Sequence, residues 1–500
     1  MRFYNKWKRR KKNDSYSHIL KYTGIFGGVQ GLSILIGLVR NKFAALLLGT
    51  AGMGLVALFN STINMVVSAT NFGIPTSGVR EISEQYDASN EQLSSTILLI
   101  RSWCLFAALL GMFVCLFFSP LLDGITFVDR GDHVCHFIFL APAVAFLIVA
   151  GGETAVLKAT RQLRALAFSS LCVVFASLVV SVPIYYLWRY QGIVGVLVLQ
   201  SLAQMLLSLR YSSRHYPYRV SFSAKFLGRG IHVVRLGLAF VVAGLMSSGA
   251  EFLIRAYINR IGELSDVGLF NAGWTLAVVY AGLVFSAMEA DYFPRLSSVK
   301  EMGVEQNDCV NKQLEINVLL MGPILTGVIL ALPVLIPLLY DHRFLDVLGM
   351  AQLAAVSMLF RAVYIPIEYL PLSKGQSRKF LCQEAVCVML LIVMEIAGYR
   401  YKGLLGLGFG IVGAYLIETL FVLVYSRCLY RYVLSRKGVI FIAVELVFVA
   451  GGLLGGFMWQ PSVLYWAFCF VWVAANVMGT LYLLKTQTRV FDRLLKRKEK

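Results

Sequence analysis

Charged side chains stand inside segments of this sequence that are otherwise apolar. Glu251 and Arg255 are four positions apart, so a helix would place the carboxylate and the guanidinium one turn apart on the same face. Arg361 is followed by Tyr364 and Glu368 at the same helical spacing. Fixed guanidinium groups favour anions, and carboxylates inside a membrane can take up a proton or a cation. The chemistry that these residues offer is therefore the binding of charged groups.

Uncharged polar side chains form similar stripes, most clearly within residues 23–71. They recur every three or four positions, which on a helix lines one face. Because an unpaired polar group in hydrocarbon is costly, these faces should meet protein or water rather than lipid. The predicted cavity residues are Gln30, Arg40, Asn60, Asn64, Asn71, Arg255, Asn271 and Arg361, and the candidates for ion coupling are Glu251 and Glu289.

The elements that must position these residues are membrane helices. Hydrophobic residues make up 58% of the 500-residue chain, and the mean hydropathy is +0.71. Along the chain there are repeated uncharged runs whose length approaches the ~20 residues needed to span a bilayer. We predict an all-α polytopic membrane protein with about fourteen transmembrane helices. The predicted spans are residues 22–39, 52–72, 95–118, 136–157, 166–187, 192–209, 231–257, 267–289, 315–339, 346–369, 381–398, 403–427, 439–459 and 463–484.

Weak internal repetition divides these spans into two halves. Residues 54–60 read GLVALFN and residues 268–274 read GLFNAGW, each at the start of a span. Two parallel six-helix lobes would follow, with a cavity between them and rocking about the linker as the expected motion. The predicted organisation is a basic cytoplasmic tail at 1–20, lobes at 21–209 and 231–432, a cytoplasmic linker at 210–230, and two extra helices with a basic tail at 433–500.

The net charge of +19 is unevenly placed along the chain. Most of the 46 Lys and Arg fall in alternate loops, for example at 158–164 and 427–437. Basic loops stay on the cytoplasmic side of a membrane, so both termini of this multi-pass protein are predicted to be cytoplasmic. The basic residues at 2–12 are expected to bind anionic membrane lipids, and no nucleic-acid partner is predicted.

Two motifs resemble ligand sites but lack the surrounding sequence features that such sites require. Residues 408–413, GFGIVG, spell a dinucleotide fingerprint, but inside an apolar run where close helix packing is the expected use of glycine. Residues 132–136, DHVCH, offer metal ligands, but no second cluster completes a closed site. The sequence also lacks motifs for hydrolysis or phosphoryl transfer. We therefore predict no catalytic residue, no metal and no cofactor.

The layout resembles the O-antigen translocases, the polysaccharide flippases of the multidrug/oligosaccharidyl-lipid/polysaccharide (MOP) exporter superfamily. The similar segments are 48–55 (LGTAGMGL), 267–270 (VGLF), 293–297 (FPRLS) and the basic loop 158–164. The resemblance implies a flippase of the bacterial inner membrane that moves undecaprenyl-diphosphate-linked oligosaccharide to the periplasmic leaflet by alternating access. O-antigen or capsular polysaccharide assembly would be its setting, with a polymerase and chain-length proteins as partners.

The polar residues are compatible with that implication, because amides can bind a glycan and guanidinium groups a diphosphate. Two other functions stay open. A drug or cation antiporter of the same superfamily would be expected to carry acids in its first spans, and the span at 22–39 has none. A membrane polysaccharide polymerase or ligase would need a larger outer loop than residues 119–135.

Overall fold

The structure is a computed structural model that describes residues 2–86, 90–127, 131–214, 216–221, 223, 228, 230–299, 303–457 and 462–487. These residues are almost entirely helical. The helices are α1 (Arg2–Thr70), α2 (Ile74–Glu84), α3 (Asn90–Phe117), α4 (Ser119–Thr126), α5 (Val134–Ala159), α6 (Leu163–Trp188), α7 (Gly192–Ser213), α8 (Ile231–Ile261), α9 (Leu264–Trp274), α10 (Tyr280–Ser298), α11 (Val304–Leu339), α12 (Leu348–Ser373), α13 (Ser377–Tyr430), α14 (Arg436–Phe457) and α15 (Val463–Gln487). A π-helical turn, Thr275–Val279, joins α9 to α10.

Eleven helical segments in the described ranges are long and apolar enough to cross a membrane. Three of them contain an internal break, at Gly49, at Arg189 and at Lys402–Gly403. Each break falls between two predicted spans or at the first residue of the second, so the eleven described segments correspond to the fourteen predicted spans. The all-α polytopic fold predicted from the sequence is confirmed. The short helices α2 and α4 lie in stretches that the sequence assigned to loops, because they are too short for a hydropathy pattern to register.

Contacts divide the chain into two units, Met1–Ala256 and Tyr257–Lys500. In unit 1, α1 packs against α6, and α5 packs against both α3 and α7. A buried apolar core of this unit includes Ile82, Ile97 and Val156. The unit boundary falls within α8. This division by contacts does not test the lobe limits that the sequence repeat predicts, 21–209 and 231–432, and those limits stay a prediction.

In unit 2, α12 packs between α11 and α13, and the two helices without a repeat partner, α14 and α15, pack on α11. Buried polar groups hold these two helices in place. Glu445 Oε1 accepts a hydrogen bond from Thr480 Oγ1 at 2.7 Å, and Asn476 Nδ2 donates to Thr326 Oγ1 at 2.9 Å. Interhelical bonds of this kind replace the hydrophobic effect as a cause of association inside lipid.

Helix α13 is a hairpin whose two limbs touch backbone to backbone. The chain reverses at Gly403, where φ is +57°. Added Cβ atoms would lie 2.1 Å from the Gly398 carbonyl oxygen at Gly406, and 2.3 Å from the Met394 carbonyl oxygen at Gly410. The glycine motif at 408–413 thus provides close helix packing, as the sequence predicts.

Replacing Gly406 by alanine is expected to destabilise the protein by about 1–3 kcal/mol, because the new methyl group overlaps the opposite limb. The matched control is Gly327→Ala on α11, where no atom lies within 4 Å of an added Cβ. Both changes carry the same gain in helix propensity, so their difference isolates the clash. Thermal unfolding of the purified variants measures it, and equal melting temperatures would contradict the hairpin contact.

Candidate functional site

The second limb of α1, residues 50–70, exposes a polar face. Asn60 and Asn64 are exposed and Ser68 is half-buried, whereas Phe59 and Ile63 between them are buried. On α3, by contrast, the exposed face is apolar, with Leu109, Phe113 and Phe117 exposed at the same spacing. An exposed amide face is unsuited to lipid, because unpaired polar groups are costly in hydrocarbon.

Two further predicted residues of unit 1 have local partners. Arg40, in the first limb of α1, donates from Nη1 to Ser177 Oγ of α6 at 2.9 Å and from Nη2 to Asn41 Oδ1 at 3.1 Å. Asn71 Oδ1 accepts from the backbone N–H of Gly73 at 2.8 Å, which stabilises the turn into α2. The side chain of Gln30 lies outside the described part of the structure, as do those of the basic tail.

Arg255 and Glu251 form the ion pair that their spacing predicts on α8. Arg255 Nη1 donates to Glu251 Oε2 at 3.0 Å and to the Glu251 carbonyl oxygen at 3.1 Å. The two side chains differ in exposure, with 7% of Arg255 and 49% of Glu251 accessible. The guanidinium is therefore buried, while the carboxylate that it pairs with is half exposed.

Arg361 of α12 lies in an acidic and aromatic environment in unit 2. Its guanidinium stands over the ring of Phe285, 5.9 Å from the centroid, and it interacts electrostatically with Tyr415, Glu368 and Glu418. The buried Nε of Arg361 has no hydrogen-bond partner among the described residues. Arg361 therefore lies in the electrostatic field of two acidic side chains of its own unit, and its Nε has no acceptor among the described residues.

The remaining predicted residues of unit 2 are Asn271 and Glu289. The carbonyl oxygen of Asn271 accepts a hydrogen bond from Thr275 Oγ1 at 2.7 Å, and Thr275 is the first residue of the π-helical turn. The side chain of Asn271 is half-buried. Glu289 Oε2 of α10 accepts from the hydroxyl of Tyr369 on α12 at 2.8 Å. Glu289 thus joins two helices as well as carrying a titratable group.

The chain matches a family model described as polysaccharide biosynthesis protein over residues 19–300, more than half of its length. It belongs to the polysaccharide biosynthesis protein family. No curated protein sequence matches it. The family resemblance inferred from the sequence is confirmed.

Solved structures similar to this polysaccharide biosynthesis protein are transporters of one superfamily. A lipid II flippase, MurJ, in an inward closed conformation superposes with a TM-score of 0.70 at 13% identity, over 94% of this chain and 99% of that one. An inward-facing multidrug resistance MATE transporter of the MOP superfamily gives 0.62 at 14% identity, over 83% and 95%. A MOP transporter from Pyrococcus furiosus gives 0.53 at 14% identity, over 84% and 94%. At these identities the similarity shows the MOP fold.

The sequence misses two groups of charged residues in this polysaccharide biosynthesis protein. Glu418 reads as an isolated packing residue, yet it interacts with Arg361. Arg101 and Glu153 are 52 positions apart and form a buried ion pair. Neither pairing carries a local signal, because the partners lie on different helices. Among the described residues, no three His, Cys, Asp or Glu side chains converge as metal ligands.

Proposed function

We propose that this protein is a flippase that moves undecaprenyl-diphosphate-linked oligosaccharide from the cytoplasmic to the periplasmic leaflet by alternating access. The observation that carries the proposal is the exposed amide face of α1 at Asn60 and Asn64, in a member of a polysaccharide biosynthesis family. Amide groups donate and accept hydrogen bonds, which is the pairing that sugar hydroxyls require. The specificity for a particular glycan would then depend on the other side chains that flank this face.

The cationic side chains supply the second half of the proposal. Arg40 and Arg255 belong to unit 1 and Arg361 belongs to unit 2, and a lipid diphosphate is an anion that guanidinium groups bind through paired hydrogen bonds. The binding residues are proposed as Gln30, Arg40, Asn60, Asn64, Asn71, Arg255, Asn271 and Arg361, with Glu251 and Glu289 for ion coupling. The uneven distribution of Lys and Arg supports a plasma-membrane protein with cytoplasmic termini.

A drug or cation antiporter is the second candidate, because MATE transporters share the fold. Such a protein would need carboxylates to bind organic cations or to exchange protons. Residues 29–70 of α1 contain no Asp or Glu, and the exposed polar side chains of the second limb are the amides of Asn60 and Asn64. This surface is better suited to a neutral glycan than to a cation.

The test uses cells of the source organism that lack the chromosomal copy. Loss of the protein is expected to leave lipid-linked oligosaccharide in the membrane, inaccessible to an impermeant glycan-oxidising enzyme added outside, and the wild-type protein should restore access. A double variant, Asn60→Leu with Asn64→Leu, should reach the membrane in normal amount and lower export by roughly ten-fold or more, since two polar contacts of ~1 kcal/mol each are lost.

The matched control is Leu109→Ala with Phe113→Ala, which changes two exposed side chains on the apolar face of α3. Export by this control is expected to stay near the wild-type level. The flippase proposal would be wrong if the deletion strain kept its surface polysaccharide. Increased sensitivity of that strain to cationic drugs would then support the antiporter.

A further inference from the structure

Arg101 of α3 and Glu153 of α5 form a buried, two-pronged ion pair in unit 1. Arg101 donates from Nε to Glu153 Oε1 at 2.8 Å and from Nη2 to Glu153 Oε2 at 2.7 Å. Nη2 also donates to Ser212 Oγ of α7 at 3.0 Å. Both members of the ion pair are 2% exposed. The arrangement satisfies both carboxylate oxygens, a condition for a buried pair to persist without water.

The remaining donors of Arg101 hold the chain that follows α7. Nη1 donates to the carbonyl oxygen of Tyr216 at 3.0 Å and to that of Pro217 at 2.9 Å. The guanidinium also lies 5.1 Å from the centroid of the Tyr218 ring. With these bonds, all five N–H groups of the guanidinium have acceptors. One side chain thus joins three helices to the first part of the predicted linker.

Other contacts fasten the same stretch and the helix that follows it. The backbone N–H of Ser221 donates to Ser102 Oγ of α3 at 2.9 Å. At the start of α8, Val233 is 1% exposed within the apolar core of unit 1. A Cβ added at Gly237 would lie 2.1 Å from the carbonyl oxygen of Phe72, so the backbones of α8 and of the turn before α2 are in direct contact.

We propose that Arg101 is a positioning residue that keeps residues 216–221 and the start of α8 attached to unit 1 throughout the transport cycle. The inference rests on the transport function proposed above. It changes the expectation drawn from the sequence, because a stretch held in this way moves with unit 1 and is not itself the hinge. The conformational change has to be taken up beyond the anchored stretch.

The choice of bonding groups supports a positioning role. An apolar contact could hold α3 against α5 with less desolvation than an ion pair, so stability alone does not explain a guanidinium here. Two of the acceptors are backbone carbonyls, which fix the path of the chain whatever its side chains are. Arg101 thereby determines where α8 begins relative to α3.

The experiment removes the Arg101–Glu153 ion pair and attaches residues 216–221 to α3 by a disulfide instead. Arg101→Met with Glu153→Gln removes both charges together, so neither is left alone in the interior. Ser102→Cys with Ser221→Cys introduces a disulfide at the site of the existing hydrogen bond, in a background without the native cysteines. A protease site inserted after residue 132, between the two new cysteines, verifies the disulfide, because the cleaved halves then stay linked. Arg80→Met with Glu84→Gln, an exposed pair on α2, is the matched control.

Three results are expected. The Arg101→Met/Glu153→Gln protein reaches the membrane in normal amount, is cleaved faster by protease within residues 216–221, and exports glycan two-fold to thirty-fold more slowly, the range associated with residues that couple moving parts. The oxidised disulfide leaves export by the otherwise wild-type protein unchanged. In the Arg101→Met/Glu153→Gln background, oxidation restores export and reduction removes it again.

The proposal is overturned if oxidation blocks export by the wild-type background, since residues 216–221 would then have to detach. It is equally overturned if these residues stay protected in the double variant, or if they are released while export stays normal. Proteolysis does not depend on the substrate. If the wild-type protein shows no glycan export at all, the proposed function is wrong. The proteolysis result then decides by itself whether Arg101 holds residues 216–221.

Discussion

Arg101→Met as a single substitution is expected to lower the stability of the protein by about 3–5 kcal/mol, the usual effect of breaking a buried ion pair on one side. The change leaves Glu153, 1% exposed, without its cation and frees the carbonyl groups of Tyr216 and Pro217. Methionine has a similar length and is apolar, so the loss reflects the missing charge and hydrogen bonds rather than a cavity.

Thermal unfolding of purified protein and the amount in the membrane both measure this effect. Arg80→Met is the control, because the Arg80–Glu84 pair is exposed, with side chains 67% and 56% accessible, and exposed pairs contribute about 0–1 kcal/mol. Adding Glu153→Gln to Arg101→Met should recover most of the stability, since an amide needs no cation. Equal stability of the Arg101→Met and Arg80→Met proteins would refute the burial argument.

The sequence predicts those parts of the fold that depend on local properties. Hydropathy over a membrane-spanning length predicts the polytopic helical fold, and the breaks at Gly49 and Gly403 divide apolar helices that are too long for one crossing. The stripe at Asn60 and Asn64 could be predicted because helical spacing fixes which residues share a face. Its exposure is consistent with the prediction that this face does not meet lipid.

The sequence could not reveal contacts that arise only from packing between distant helices. Glu153 was visible as a polar residue near the end of a span, but its partner Arg101 lies on a different helix, 52 positions away along the chain. Glu418 had no polar neighbour at helical spacing, so it gave no periodic signal of its interaction with Arg361. Asn71 fitted the polar stripe, whereas the structure uses its side chain in a turn.

Arg255→Ala is expected to leave the protein abundant and to lower glycan export by roughly 30-fold or more, the effect of removing one partner from a desolvated charge pair in a binding site. The structure explains why the fold should survive. The partner carboxylate of Glu251 is 49% exposed, so water can solvate it once the guanidinium is gone. The expected loss of stability is then smaller than the roughly 3–5 kcal/mol lost when one partner of a fully buried pair is removed.

The measurements are export, membrane abundance and melting temperature, compared with Arg260→Ala, which removes an exposed arginine from the same helix. Arg255→Lys should keep part of the export, because the charge remains while the planar fork that pairs with phosphate oxygens is lost. A purely structural pair predicts a different pattern. Abundance would fall in Arg255→Ala, and adding Glu251→Gln would restore it.

The burial of Arg255 also bears on how a phosphate could reach it. Only 7% of its side chain is accessible, and Nη1 already binds Glu251. A substrate phosphate would therefore compete with the Glu251 carboxylate, and the displaced carboxylate would be free to take up a proton or a cation. Glu251→Gln should on this basis remove the dependence of export on the ion gradient while retaining export itself. Full export by an abundant Arg255→Ala protein would exclude the binding role and, with it, this route of coupling.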